Sequence, residues 1–90
     1  MKPLDEGEIA RRLASLPGWQ RRGGEITRTF AFADFEGSMA FVSRVAELAE
    51  SMDHHPDIDI RYSKVTLVLS THDAGGLTAR DFTLAEAIGA

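Results

Sequence analysis

The sequence predicts an α+β domain: a single four-stranded antiparallel sheet with three helices on one face, in the order α-β-β-α-β-β-α, over residues 1–90. Three observations predict it. Two regions alternate apolar and polar residues on either side of short turn signals, the pattern of hairpins. Three other stretches repeat apolar residues at helical spacing, and the longest of them separates the two hairpins. No repeat, linker or low-complexity run divides the chain, so one sheet covered on one side is the expected packing, with the other side open or used in assembly.

The first helix opens at Asp5, with Glu8 three residues on as in a capping box. Ile9, Leu13 and Leu16 follow at helical spacing, and Pro17-Gly18 stops it. "WQRRGGEITRTFAF" is a hairpin turning at Gly23-Gly24. Ile26, Phe30 and Phe32 fall on one face, Thr27, Thr29 and Ala31 on the other. Arg28 interrupts the apolar face and marks a partly wet position. The long helix, "DFEGSMAFVSRVAELAESMD", has Asp34 as its N-cap. It carries two apolar stripes: Phe35, Met39, Val42, Ala46 and Ala49, then Phe41, Val45, Leu48 and Met52. One sheet does not cover both, so a subunit interface is expected on this helix, the alternative being contact with the terminal helices. In "DIDIRY" Ile58, Ile60 and Tyr62 alternate with Asp57, Asp59 and Arg61, which predicts a half-buried strand. Ser63-Lys64 is read as the turn. In the next strand Val65, Leu67 and Leu69 line one face, Thr66, Val68, Ser70 and His72 the other. "DAGG" is a loop. Thr78 opens the last helix, Asp81 stands three residues on, and Leu84, Ala85 and Ile88 form its apolar side.

Composition removes several function classes. The chain has 10 Lys and Arg against 14 Asp and Glu, a formal net charge of -4. A nucleic-acid surface needs clustered basic residues, and Arg11-Arg12 and Arg21-Arg22 are both diluted by nearby Glu. The absence of cysteine excludes disulfides, thiolate nucleophiles and Cys metal sites. Asp5, Glu6 and Glu8 stand where a signal peptide carries its apolar run, and no apolar stretch has membrane-spanning length. A cytoplasmic protein is expected, with no nucleic-acid or membrane partner.

The chemistry concentrates in three histidines, two of them adjacent in His54-His55-Pro56. Histidines at a helix C-terminus have a plain electrostatic use there. Neighbouring side chains on a regular element diverge, however, so two adjacent imidazoles serve one site only at an irregular corner. Pro56 makes that corner, because it disfavours helical geometry at His55. With the turn at Ser63-Lys64, Tyr62 faces Val65 and His55 faces His72, which brings the histidines together at the open end of the hairpin. Glu50, Asp53 and Asp73 lie close to them in sequence, and a carboxylate can fix an imidazole's tautomer. Asp81 is accounted for by helix capping from spacing alone. A zinc site is the rival use of three histidines, although their spacing lacks the i, i+4 pattern of helical ligand pairs. No serine elbow or cysteine supports a nucleophile. General acid-base chemistry is the simplest reading.

Glu50, His54-His55-Pro56, Tyr62, His72 and Asp81, in "ESMDHHPDIDIRYSKVTLVLSTHDAGGLTARD", resemble the signature of the pterin-4a-carbinolamine dehydratases. "LPGW" and "FADFEGSMAFVSRVAELAE" resemble that family as well, so the likeness covers nearly the whole chain. The resemblance implies dehydration of 4a-hydroxytetrahydropterin to quinonoid dihydropterin, recycling the pterin of aromatic amino-acid hydroxylases without metal or organic cofactor. It implies a homodimer or homotetramer, with an aromatic amino-acid hydroxylase as a possible partner. It makes His54, His55, His72 and Asp81 the catalytic set: His54 and His72 as acid and base, His55 mainly holding substrate, Asp81 orienting a histidine. Glu50 would support His54, and Asp53, Ser70, Thr71, His72 and Asp73 would bind the pterin edge beside His54 and His55. The chain departs from many relatives at Ile58, where they carry an aromatic, and "THDA" lacks a cysteine found in animal members. The alternative function is a non-catalytic interaction or regulatory partner on the same scaffold.

Overall fold

Strict alternation in "KVTLVL" leaves Val65, Leu67 and Leu69 fully buried on one side of a strand, and the fold is built outward from that strand. The computed structural model describes residues 1–89. Its elements are α1 (Glu6–Leu13), β1 (Gln20–Arg22), β2 (Glu25–Ala31), α2 (Phe35–Met52), β3 (Asp57–Arg61), β4 (Lys64–Leu69) and α3 (Ala79–Gly89), with a single 3-10 turn at His72–Ala74. The strands form one antiparallel sheet in the order β1-β2-β4-β3. The α+β class and the element order are as the sequence predicts. No helix among the described residues is long and apolar enough to cross a membrane.

Paired residues share a face, so Ile26–Leu69 and Phe30–Val65 mark the covered side, Thr27–Val68 and Thr29–Thr66 the open one. Ile26, Val45, Phe82, Leu84 and the three β4 residues are fully buried together. Phe41 packs on Phe30 and Phe32, with ring centroids 4.5 and 5.1 Å apart, which seats α2 over β2. Arg28 sits on the covered side and is half-buried. Its Nη1 donates to the carbonyls of Pro17 (3.1 Å) and Gly89 (3.0 Å), and its guanidinium lies 4.4 Å from the Phe30 ring centroid. A cation among apolar neighbours is thus matched to the carbonyl end of α3. Of the two stripes on α2, Phe41 and Val45 are buried and Leu48 and Met52 half-buried, whereas Phe35, Met39 and Ala46 stand exposed beside half-buried Val42 and buried Ala49.

Both predicted N-caps form. Asp5 accepts from the Glu8 amide and Asp34 from the Gly37 amide, each at 2.8 Å. Arg21 ties β1 to α1 through two hydrogen bonds to Glu6, which hold the Glu6 carboxyl below its ordinary pKa.

The second hairpin departs from expectation. Its turn is Tyr62-Ser63, not Ser63-Lys64: Arg61 pairs with Lys64 and Ile60 with Val65. Tyr62 takes the left-handed conformation at φ 51° that a two-residue turn requires. The turn is held from outside, because Ser38 Oγ donates to the Tyr62 carbonyl (2.6 Å) and the Phe32 amide to the Ser63 carbonyl (2.7 Å). Moving the turn by one residue moves the register by two, so every side chain keeps its face but gains a different neighbour. Continued past the strand end, this register sets His55 opposite Ser70, and His55 does not face His72 across the ladder. His72 has in any case left the strand for the 3-10 turn. β3 is also more exposed than expected, with Ile58 and Ile60 each 37% exposed, because it is an edge strand. Leu67→Ala at the centre of β4 should lower unfolding free energy by about 2–5 kcal/mol, measured by denaturant titration; a loss within the few tenths typical of surface positions would contradict this account of the core.

Candidate active site

Three chain segments converge at one end of the sheet: the corner after α2, the chain leaving β4, and the first turn of α3. The corner begins at Asp53, which caps α2 in the left-handed region (φ 49°, ψ 45°). Its amide and that of His54 donate back to the last turn of α2, the His54 amide reaching the Ala49 carbonyl at 3.1 Å. The reversal turns His54 inward, where it is buried, and leaves His55 exposed. Pro56 then allows only an extended chain, which enters β3 one residue later.

His54 meets Asp81. Its Nε2 donates to Asp81 Oδ1 at 2.6 Å. Asp81 is fully buried, and its Oδ2 accepts from Thr71 Oγ1 (2.8 Å) and from the Thr78 amide (2.9 Å). The carboxylate therefore faces donors on every side, and one of them is the reciprocal half of the capping box anticipated at Thr78. Capping and histidine orientation are both done by this one side chain. With Nε2 committed as donor, neutral His54 holds its proton there and keeps Nδ1 as its basic atom.

His72 lies in the 3-10 turn, is exposed, and is bonded to no side chain among the described residues. The Thr71 carbonyl accepts from the amides of Ala74 (3.0 Å) and Gly75 (3.1 Å), and the Thr71 amide donates to Gly76 (3.1 Å), which closes this turn. Ser70 Oγ donates to the Gly24 carbonyl, tying the site to the first hairpin's turn.

Between these groups is an open cleft of ≈ 240 Å³ lined by Asp53, His54, His55, Ser70, Thr71, His72, Asp73 and Arg80. The three histidines thus share one cleft, as expected, although the ladder register reasoned from the sequence is not what joins them. Asp81 stands behind His54 and outside the cleft. Glu50 is placed differently from expectation: it reaches His55, Oε2 to Nε2 at 2.5 Å, rather than His54. Both partners of that pair are exposed, so it contributes little to stability. Arg80 was missed from the sequence. It donates from Nη2 to the Asp53 carbonyl at 2.6 Å and is the cleft's one cation among Asp53 and Asp73. Its signal was a basic residue in the first turn of a helix, where the dipole disfavours it. Among the described residues no three ligating side chains are grouped to hold a metal ion.

This geometry joins a deeply held histidine, whose tautomer is fixed by a buried carboxylate, to a free histidine on the facing loop. It suits proton transfer in both directions on a small polar molecule. The sequence matches the family model described as Pterin 4 alpha carbinolamine dehydratase over residues 2–90. A Chloroflexus aurantiacus protein provisionally named a pterin-4-alpha-carbinolamine dehydratase is 58% identical over 98% of this chain and 95% of its own. A Roseiflexus castenholzii protein with the same provisional name is 59% identical over 94% of this chain and 91% of its own. A Brucella melitensis crystal structure, described as a transcriptional coactivator/pterin dehydratase, superposes with a TM-score of 0.93 at 36% identity, covering 97% of this chain and 95% of that one. A pterin dehydratase-like protein described as a RuBisCO assembly factor in the alpha-carboxysome shares the fold, with a TM-score of 0.63 at 22% identity over 78% of this chain and 81% of its own. On sequence and fold together, the chain belongs to the pterin-4a-carbinolamine dehydratase family.

Proposed function

We propose that this protein dehydrates 4a-hydroxytetrahydropterin, releasing water and quinonoid dihydropterin, and so recycles the pterin of aromatic amino-acid hydroxylases in the cytoplasm. The observation that carries the reading is the His54–Asp81 pair at the wall of a cleft whose other side holds an uncommitted His72. The reaction moves protons and breaks one C–O bond. An acid protonates the 4a-hydroxyl as it leaves, a base takes a ring proton, and the ring electrons close the new double bond without net oxidation. Imidazole, with an ordinary pKa near ~6.5, serves either part at neutral pH. His54 and His72 take the acid and base parts, and His55 holds the substrate with Asp53, Ser70 and Asp73. The reaction as written calls on no metal or organic cofactor.

A homo-oligomer is part of this reading. Phe35 is half exposed and stacks on Tyr62, with ring centroids 6.5 Å apart and planes 15° apart, and exposed Met39, Ile58 and Ile60 complete the patch. β3 beside it is an edge strand whose outer backbone groups lack a ladder partner in the sheet. Antiparallel pairing of β3 with a second copy about Ile60 would set Asp59 opposite Arg61, opposite charges in register. An interaction partner on the same scaffold is the second reading, favoured by this exposed patch and by the double description of the Brucella melitensis protein.

The deciding experiment generates 4a-hydroxytetrahydropterin in situ and follows its ultraviolet decay. Acceleration in proportion to protein is expected, and His54→Ala or His72→Ala should each lower turnover by about 10²–10⁴-fold with the fold retained. Decay no faster than the spontaneous rate would leave only the interaction reading. Asp81→Asn is expected to lose about 10²-fold or more in turnover. The Thr78 amide can only donate, so the new NH₂ group must turn toward His54 and force its proton onto Nδ1; full activity would contradict the assigned tautomer. Ile60→Lys should convert the protein to monomer in sedimentation equilibrium, and an unchanged mass would place the interface elsewhere.

A further inference from the structure

Thr71 lies among the residues expected at the pterin edge, yet its hydroxyl points away from that use. The residue is 3% exposed. Its Oγ1 donates its one proton to Asp81 Oδ2 at 2.8 Å. The contact with Thr78 Oγ1, also 2.8 Å, can therefore run in one direction only: Thr78 donates and Thr71 accepts. Thr78 Oγ1 in turn accepts from the Arg80 amide at 3.3 Å. The chain of donors ends on the carboxylate that holds His54. The backbone of the same residue does different work, since its carbonyl and amide close the turn that carries His72. One residue thus fixes both histidines, by side chain on one hand and main chain on the other.

We propose that Thr71 is a positioning residue that sets His54 and His72 at a fixed separation across the cleft. Its hydroxyl locks the Asp81 carboxylate against rotation, and Asp81 then presents a single acceptor to His54 Nε2. Without that hydroxyl, Oδ2 keeps only the Thr78 amide as donor, and the carboxylate is free to tilt. The imidazole then samples both tautomers, while every other side chain that lines the cleft is kept. The loss falls on turnover rather than on substrate capture. This inference rests on the dehydratase reading for its kinetic consequence, but not for its structural one.

The test compares Thr71→Val, which keeps shape and removes the hydroxyl, with Thr71→Ser, which restores it. Thr71→Val is expected to lower kcat by about 10- to 100-fold with KM little changed, as a small misplacement of a catalytic group does. Thr71→Ser should recover most of that loss. Nitrogen-15 spectra of the His54 ring in the resting protein should show a proton fixed on Nε2 in the parent and Thr71→Ser, and exchanging between both nitrogens in Thr71→Val. Equal impairment of the Ser and Val variants would overturn the proposal, as would a Val variant with parental kcat and a fixed Nε2 proton. Should Thr71→Val fail to fold, Thr71→Ala carries the test: it also removes the hydroxyl that reaches Asp81 Oδ2, the same changes are expected, and parental kcat with a fixed Nε2 proton overturns the proposal. If the parent does not turn over 4a-hydroxytetrahydropterin, the dehydratase reading falls and the ring spectra alone decide the role of Thr71.

Discussion

Asp81 has no solvent contact, and a carboxylate in that position persists only if donors surround it. The donors come from three separated parts of the chain: His54 after α2, Thr71 after β4, and the Thr78 amide ahead of α3. Each of these segments lies between regular elements, and the carboxylate joins all three. Satisfying one buried charge therefore decides where all three go. The same carboxylate sits in the first turn of α3, where the helix dipole favours a negative group. A single side chain thereby starts a helix, closes a loop and orients an imidazole.

The sheet supplies the rigid base for this arrangement. β4 is central, paired on both sides, and buried along its covered face, so the segment that leaves it toward Thr71 and His72 starts from a fixed point. On the open face the hydroxyls of Thr29 and Thr66 bond one another, and Thr27 donates to the Leu67 carbonyl. Polar satisfaction within the strands lets that face meet water while the other holds the core. Arg28 completes the opposite end of the covered side by linking the Pro17 loop to the last turn of α3.

Most of the fold was legible in the sequence because its signals are local. Asp5 and Asp34 cap the helices they were expected to cap, and the alternation in β2 and β4 sorts their faces correctly. The Tyr62-Ser63 turn was not legible, since what fixes it is distant: a serine on α2 and an amide after β2 grip its carbonyls. The site was legible as a grouping, because Pro56 and the adjacent histidines announce a corner. Its internal pairing was not. The family resemblance implied that Glu50 serves His54, but the left-handed residue Asp53 rotates the chain so that His55 receives it. Spacing alone assigned Asp81 only its capping role and the family resemblance assigned it a histidine, because nothing local distinguishes a cap that is also buried against an imidazole.

The pairing of β2 with β4 joins strands that lie on either side of α2 and β3 in sequence. Such non-local contacts form late, after the entropy of closing a long loop has been met, and they slow folding relative to a helical domain of similar size. His54 and His55 lie inside the loop that this pairing closes, and His72 follows just beyond β4. The cleft draws its walls from the corner after α2, the exit of β4 and the first turn of α3, so a species with only α2 in place lacks it. The cleft therefore belongs to the assembled domain and to none of its elements singly, so whatever occupies it reads the completed fold.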